Sequence, residues 1–259
     1  MNTQQHKKFT ILLIGDSCID EYVYGSVDRL SPEAPVPVIK LKNKISVPGM
    51  AANVKLNLQQ LNCDIDFITN DVTNLKVRYI DQRSLQHLLR VDSDPHIPPW
   101  NRKLPFPIVD YDAVVISDYN KGFLTYDLIE SIIADANGIP VFIDTKKQDL
   151  ARFSAGWSFI KINEYEYNNR HSQPENLIVT IGSEGAMLKL YDKEIIFPTS
   201  KVNMVDVCGC GDTFLSALCY QYLVSKDLQD AIKFANKAAS ITVQHRGNYA
   251  PTLNDIENA

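Results

Sequence analysis

Four residues near the end of the chain carry the clearest chemistry: Gly209, Cys210, Gly211 and Asp212. They lie in Val205-Asp206-Val207-Cys208-Gly209-Cys210-Gly211-Asp212-Thr213-Phe214, where two glycines bracket one small residue and an acid follows at once. Behind the acid, Phe214, Leu215, Leu218, Cys219 and Tyr222 recur at helical spacing. The pattern predicts a glycine-rich turn that opens a helix, with Asp212 at its mouth. The first N–H groups of a helix lack partners within it and can cradle an anion. A site that moves a phosphoryl group onto a hydroxyl needs such donors for the charge and a base for the proton. On these residues alone, a plain helix start with Asp212 as N-cap remains the alternative.

A turn of this kind needs a framework. Phe9 to Asp16 is a continuous apolar run ending in Gly15-Asp16, as a central parallel strand reads when both faces are buried. Ligands in open α/β sheets sit beyond the carboxyl ends of strands, where Asp16 and Asp20 would lie. Prolines at 32, 35 and 37 exclude a helix and leave a turn plus an edge strand. The run 36–47 is expected to form a hairpin outside the main sheet. A helix is expected from Ala51 to Leu61, an alternating strand over Cys63 to Asn70 and another from Leu75 to Ile80. Asp94 to Pro107 is too rich in proline for a regular helix.

Further strands are predicted at Tyr111 to Asp118, Pro140 to Asp144, Ser158 to Glu166 and Asn176 to Thr180, with a helix at Tyr126 to Asn137 stopped by Gly138. Ala186 to Tyr191 and Glu194 to Pro198 read as a hairpin turning at Asp192-Lys193, and Leu228 to Gln244 as a long helix. Between Glu166 and Asn176 the link is short for a parallel return, and the expected topology is most exposed there.

With these elements in place, a resemblance emerges. Asp206-x-x-Gly209-x-Gly211-Asp212 resembles the C-terminal signature of the ribokinase-like (PfkB) carbohydrate kinases, in which the acid at this position is the catalytic base. Cys208 and Cys210 stand where that family usually has Thr and Ala. The N-terminal half, Gly-Asp-x-x-x-Asp-x-Tyr-x-x-Gly followed by Arg29-x-Ser31-Pro32-Glu33-Ala34-Pro35-Val36-Pro37-Val38, resembles the bacterial heptose-phosphate kinase branch. Ser117-Asp118-Tyr119-x-Lys121-Gly122 is similar to the same branch.

The resemblance implies an α/β, ribokinase-like three-layer fold with a mostly parallel central sheet and a small β lid. It implies one such domain over 1–259, with lid strands at about 36–47 and 77–91. It further implies an ATP-dependent transfer of the γ-phosphoryl group to a sugar-phosphate hydroxyl, in this branch the anomeric hydroxyl of heptose 7-phosphate. Asp212 is then the base, with the backbone of Gly209, Cys210 and Gly211 as the anion cradle. Sugar contacts are implied at Asp16, Asp20, Gly49, Asn53, Asp118 and Lys121, and Lys76 and Arg78 are the cations for the sugar's phosphate. Lys146, Asn163, Glu166, Thr180, Gly182, Gly185 and Asn236 are implied on the nucleotide side, with Glu166 holding Mg²⁺ through water.

Each has a plainer alternative: solvated loop acids, charges on an edge strand, a polar surface residue at Asn236. Met50 replaces a family glycine, and a φ above zero there would strain it. Three intervals, after Asn70, around Asp94 to Pro107 and after Glu166, are shorter than in the family. Family members often dimerise through their lids, and the segments at 36–47 and 77–91 offer edges for such a homodimer.

Composition narrows the classes. The net charge of −5 and the absence of a long basic run argue against nucleic acid as a partner. No apolar run is long enough for a membrane span, and residues 1–8 lack the apolar core of a signal peptide, so a cytoplasmic protein is expected. Five scattered cysteines suit a reducing compartment, and no Cys/His set has metal-ligand spacing. No His-x-Gly-His motif, which marks the adenylyltransferase domain some heptose kinases carry, is present. Two rivals stay open. One is a catalytically impaired, kinase-derived protein that binds sugar phosphate or nucleotide. The other is a dinucleotide oxidoreductase, for which no Gly-x-Gly-x-x-Gly opens the chain. The kinase reading requires Asp212 to face an open pocket.

Overall fold

The computed structural model describes residues 8–101, 104, 107–190 and 193–259. Parts of the expected N-terminal tail, of the proline-rich segment and of the Asp192-Lys193 turn lie outside the described residues.

The apolar runs assemble into an eight-stranded sheet. Its strands are β1 (Thr10–Gly15), β4 (Asp64–Thr69), β7 (Ala113–Asp118), β8 (Val141–Thr145), β9 (Ser158–Asn163), β10 (Asn176–Thr180), β11 (Ala186–Leu190) and β12 (Lys193–Phe197). The order is β12-β11-β10-β9-β8-β7-β1-β4. Strands β4 to β10 along this order are parallel, and β11 and β12 close one edge antiparallel. Side chains alternate between faces, so neighbouring residues of one strand enter different cores. Ile11 and Leu13 pack with α1 (Ala51–Gln60), α4 (Cys210–Ser225), α5 (Leu228–Thr242) and α6 (Leu253–Glu257). Leu12 and Ile14 pack with α2 (Tyr126–Ala136) on the other face. The result is the expected three-layer α/β fold with a mostly parallel sheet.

The second helical layer is thin. Apart from α2 it is completed by short turns and coil: Leu150 and Phe153, then Ile97, Ile108 and Tyr111, with Trp100 and Leu104 packed against them. Proline-rich chain thus covers apolar sheet where no helix is present. The short link after β9 contains only α3 (Glu164–Asn168), yet β10 still returns parallel to β9.

A second sheet has the order β3-β2-β5-β6. Strand β2 (Ser17–Leu30) runs on directly after Asp16, a long element the sequence reading missed. The expected hairpin within 36–47 is corrected: β3 (Pro37–Met50) is one continuous strand, and its hairpin partner is β2. The prolines supply the turn between them. Strands β5 (Asn74–Asp81) and β6 (His87–Ser93) complete the sheet, β5 lying parallel to β2. Its Asp20, Tyr22, Lys76 and Arg78 share one face by register.

Candidate active site

Helix α4 begins where the glycines predict. Gly209 is its N-cap at φ 75, and Asp212 lies in its first turn. A side chain at Gly209 would meet Asn53 Nδ2 at 2.9 Å and Asn248 Oδ1 at 3.2 Å. At Gly211 it would meet Lys161 Nζ, also at 2.9 Å. The cradle is therefore a backbone surface that depends on missing side chains. Of its donors, the Cys210 N–H is turned to Val207 O at 3.4 Å, so the expected contribution of that group is corrected in this conformation.

Asp212 is only 4% exposed. Asn53 Nδ2 donates to its Oδ2 and the Tyr119 hydroxyl to its Oδ1, both at 2.8 Å. Burial lifts the Asp212 carboxyl to about 6, against the downward pull of those two hydrogen bonds. The open pocket that the kinase reading requires in front of Asp212 is not present in this conformation, because Tyr119 and Asn53 cover the carboxylate.

The cover is built from several elements. Asn53 sits on α1, where Asn57 donates to its carbonyl at 2.9 Å. Thr213 of α4 donates to Asn57 Oδ1 at 2.8 Å, which ties the two helix starts together. Met50 enters α1 at φ 57 and ψ −133, the strained position its substitution for glycine implies. Tyr119 follows β7. Its backbone N–H donates to Asp16 Oδ2 at 2.8 Å. The ring lies 5.5 Å from both the Lys76 and the Lys146 ammonium.

The other expected acids and cations are placed less openly. Asp16 is fully buried between β1 and β7; burial, then Asp118, raises its carboxyl, and its Oδ1 has no hydrogen-bond partner. Asp20 forms a close ion pair with Arg78 and accepts from Asn248 at 3.3 Å. Arg78 also lies over the Tyr22 ring, so its charge is engaged inside the protein. Gly49 faces Asp20, whose Oδ2 would lie 2.1 Å from an added Cβ. Asp118 is closed to a ligand: Thr145 donates to it at 2.6 Å and Lys147 lies at 3.1 Å. Lys121 turns to Asp94 at 2.6 Å, in the coil after β6.

Lys146 pairs closely with Glu166. Burial opposes its charge, yet Asp144 and Glu166 hold its ammonium above the ordinary value. Asn163-x-x-Glu166 is a capping box on α3: Asn163 Oδ1 accepts from Glu166 N at 2.9 Å, and Glu166 Oε2 from Asn163 N at 2.8 Å. Thr180, Gly182 and Gly185 form the turn after β10, and a Cβ at Gly185 would meet Phe197 O at 2.2 Å. Asn236 donates to that same Phe197 O at 2.8 Å. It is 5% exposed, which rules out a surface role.

Sequence reading missed Tyr119, Lys147 and Lys161. Lys161 forms a buried ion pair with Asp144 at 2.7 Å, directly beside Gly211. A lysine inside a buried strand run was the signal for it. Both cysteines of the turn are poor thiolates, since burial pushes Cys208 up to about 11 and Cys210 up to about 12. Among the described residues no group of three or more His, Cys, Asp or Glu is placed to hold a metal ion.

A model of the pfkB family of carbohydrate kinases matches residues 124–255. The chain belongs to the PfkB family. Its members are sugar kinases, and Asp212 lies within the matched segment. Curated relatives include the bifunctional protein HldE of Sulfurimonas denitrificans, 30% identical over 97% of this chain and 64% of that protein. HldE of Helicobacter pylori is 31% identical over 95% of this chain and 65% of that protein. The chain thus spans less than two thirds of the length of these relatives. The alignment with the first runs over 309 positions, more than the 259 residues here, so that relative carries residues this chain lacks. Solved structures agree on the fold. Ribokinase from Thermotoga maritima superposes with a TM-score of 0.73 at 18% identity, covering 96% of this chain and 98% of its own. Arabidopsis thaliana ribokinase, solved with ribose and ATP, gives 0.73 at 15%, covering 97% and 98%. No described helix is long and apolar enough to cross a membrane.

Proposed function

We propose that this PfkB kinase transfers the γ-phosphoryl group of ATP to the anomeric hydroxyl of heptose 7-phosphate. One observation carries the reading: a carboxylate held near pKa 6 stands in the first turn of a helix whose glycine start leaves the backbone bare. Asp212 takes the proton of the attacking hydroxyl. The bare backbone at Gly209 and Gly211 receives the phosphoryl oxygens, with Lys161 as the nearest cation. Such transfers depend mainly on positioning and electrostatics, and these groups supply both.

Asn53 orients Asp212. Asp16, Asp20 and Gly49 shape the wall on the sugar side, and Lys76 faces the acceptor's phosphate. Arg78 joins it only by exchanging Asp20 for the anion. Asp118 and Lys121 support the fold around this wall. On the nucleotide side we place Lys146, the capped Asn163-Glu166 turn, the turn of Thr180, Gly182 and Gly185, and Asn236. Mg²⁺ would come with the nucleotide, and Glu166, whose oxygens here hold Lys146 and Asn163, would help hold it through water; among the described residues no cluster of three ligands is built for it. When bound, that ion neutralises phosphate charge. The heptose assignment draws on the HldE relatives, whose bifunctional proteins are longer than this chain. We also propose that two copies pair through the lid face opposite Asp20, where Ile19, Leu89 and Val91 are exposed.

The covered carboxylate favours a second reading, a binding protein without turnover. ADP release measured against a panel of sugar phosphates decides between them. Heptose 7-phosphate should stimulate release above all hexose phosphates. Thermal stabilisation by ligand with no ADP release would instead support the binder.

A further inference from the structure

Tyr119 occupies the place an acceptor alcohol has to take. Its hydroxyl donates to Asp212 Oδ1 at 2.8 Å, and a sugar hydroxyl giving its proton to that carboxylate must make the same kind of bond. Asn53 fills the other oxygen, and the carboxylate has almost no exposed surface. A substrate therefore reaches the base only after the phenol leaves.

The phenol is held in a way that lets it leave. Its backbone is fixed by Asp16 and its hydroxyl is deeply buried, but the residue as a whole is only half-buried, and the next residue, Asn120, lies on the surface. The ring is gripped by two ammonium groups from different parts of the molecule: Lys76 from lid strand β5 and Lys146 from the loop after β8. Lys146 also has Glu166. Among the described residues Lys76 makes no close ion pair; it faces Asp92 of β6, whose carboxyl Arg90 chiefly and Lys76 in part hold down, and its ammonium also lies over the ring. A phosphate draws an ammonium far more strongly than an aromatic face does.

We propose that Tyr119 is a gate over Asp212 that the acceptor's own phosphate opens. Lys76 moves from the ring to the phosphate, the ring loses one of its two anchors, and the phenol gives up Asp212 to the sugar hydroxyl. An acceptor without phosphate leaves the gate shut. The gate also protects ATP. With Asp212 open and no sugar present, the oxygen of a water molecule attacks the γ-phosphorus and Asp212 takes its proton. The bond to the β-phosphate oxygen breaks, giving ADP and inorganic phosphate. The proposal rests on Asp212 being the base.

The test uses the full chain and follows ADP and inorganic phosphate with ATP alone, with heptose 7-phosphate, and with the unphosphorylated heptose. Tyr119→Phe should raise acceptor-free hydrolysis on the order of tenfold, the scale set by one hydrogen bond to a charged group. The stimulation ratio with the phosphorylated sugar should fall accordingly. Lys76→Met, on the lid strand, should also raise acceptor-free hydrolysis while raising the KM for the phosphorylated sugar. Unchanged or lower acceptor-free hydrolysis in both variants would overturn the gate. Adding Asp212→Asn to Tyr119→Phe should abolish the extra hydrolysis. If the extra hydrolysis persists, the gate acts on something other than Asp212, and the assignment of the base fails separately.

Discussion

Asn53 and Asp212, 159 residues apart, are joined by a hydrogen bond of 2.8 Å from Asn53 Nδ2 to Asp212 Oδ2. The bond links the first turn of α1 to the first turn of α4, so the Asp212 carboxylate is held by the two helices it lies between. A neutral donor of this kind favours the charged carboxylate, in opposition to burial.

Removing that donor should therefore shift the acid limb of the activity profile. As the proposed base Asp212 must be ionised to accept a proton, so kcat/KM should fall as pH drops through about 6. In Asn53→Ala the limb should move to higher pH, and activity near pH 7 should fall with it. A pH–rate profile of both proteins checks this; an unmoved limb with lower activity would assign Asn53 to sugar contact alone.

The same carboxylate weakens the fold near neutral pH. Its folded pKa of about 6 lies above the ordinary 3.8, so its favourable contribution is complete below the ordinary value and is lost as pH rises through the folded one. Asp212→Asn should thus be more stable than wild type at pH 8, by up to about 3 kcal/mol. The gap in Tm should narrow as the pH is lowered to 5. A destabilised variant at pH 8 would contradict the burial argument.

The sequence made much of this legible. Continuous apolar runs marked the parallel strands, because both faces of such a strand are buried. The glycine turn that opens α4 could be read because apolar residues follow it at helical spacing, whereas the role expected of Asp212 came from the family resemblance. What was not legible came from long-range pairing. Ser17 to Leu30 has strand formers such as Ile19, Tyr22, Val23 and Val27 broken up by Asp20, Gly25 and Asp28, and it becomes the single strand β2 through pairing with β3 and β5. Asn163-x-x-Glu166 reads in the sequence only as a nucleotide-side motif, and its local role as a capping box is visible in the hydrogen bonds. Lys161 lies inside an apolar run, where its partner Asp144 is 17 residues away on the neighbouring strand. Tyr119 was part of a recognised motif, but nothing local places its hydroxyl on Asp212.

Met50 provides a backbone test. It is buried at 4% exposure with φ 57. Truncating a buried Met costs about 2–5 kcal/mol, while relief of a strained φ/ψ returns about 1–3 kcal/mol. Met50→Ala pays the first without the second. Met50→Gly should accordingly be the more stable of the two by about 1 kcal/mol or more in urea unfolding. Equal stabilities would mean that the backbone is unstrained.

Arg78 and Asp20 form an ion pair with both side chains largely buried, 11% and 8% exposed. Arg78→Met leaves Asp20 without its partner and should cost about 3–5 kcal/mol. Adding Asp20→Asn should recover part of that loss, because the orphaned charge is gone. A double-mutant cycle in denaturant measures the coupling, and additive losses would show that the pair contributes nothing to stability.

The most direct measurement is the turnover of Asp212→Asn with ATP and heptose 7-phosphate, beside its affinity for ATP. Loss of a general base costs on the order of 10²- to 10⁴-fold in kcat, and ATP should bind as before, since the helix start proposed to receive its phosphates is untouched. Turnover close to that of the unaltered protein would contradict the assignment of Asp212 as the base.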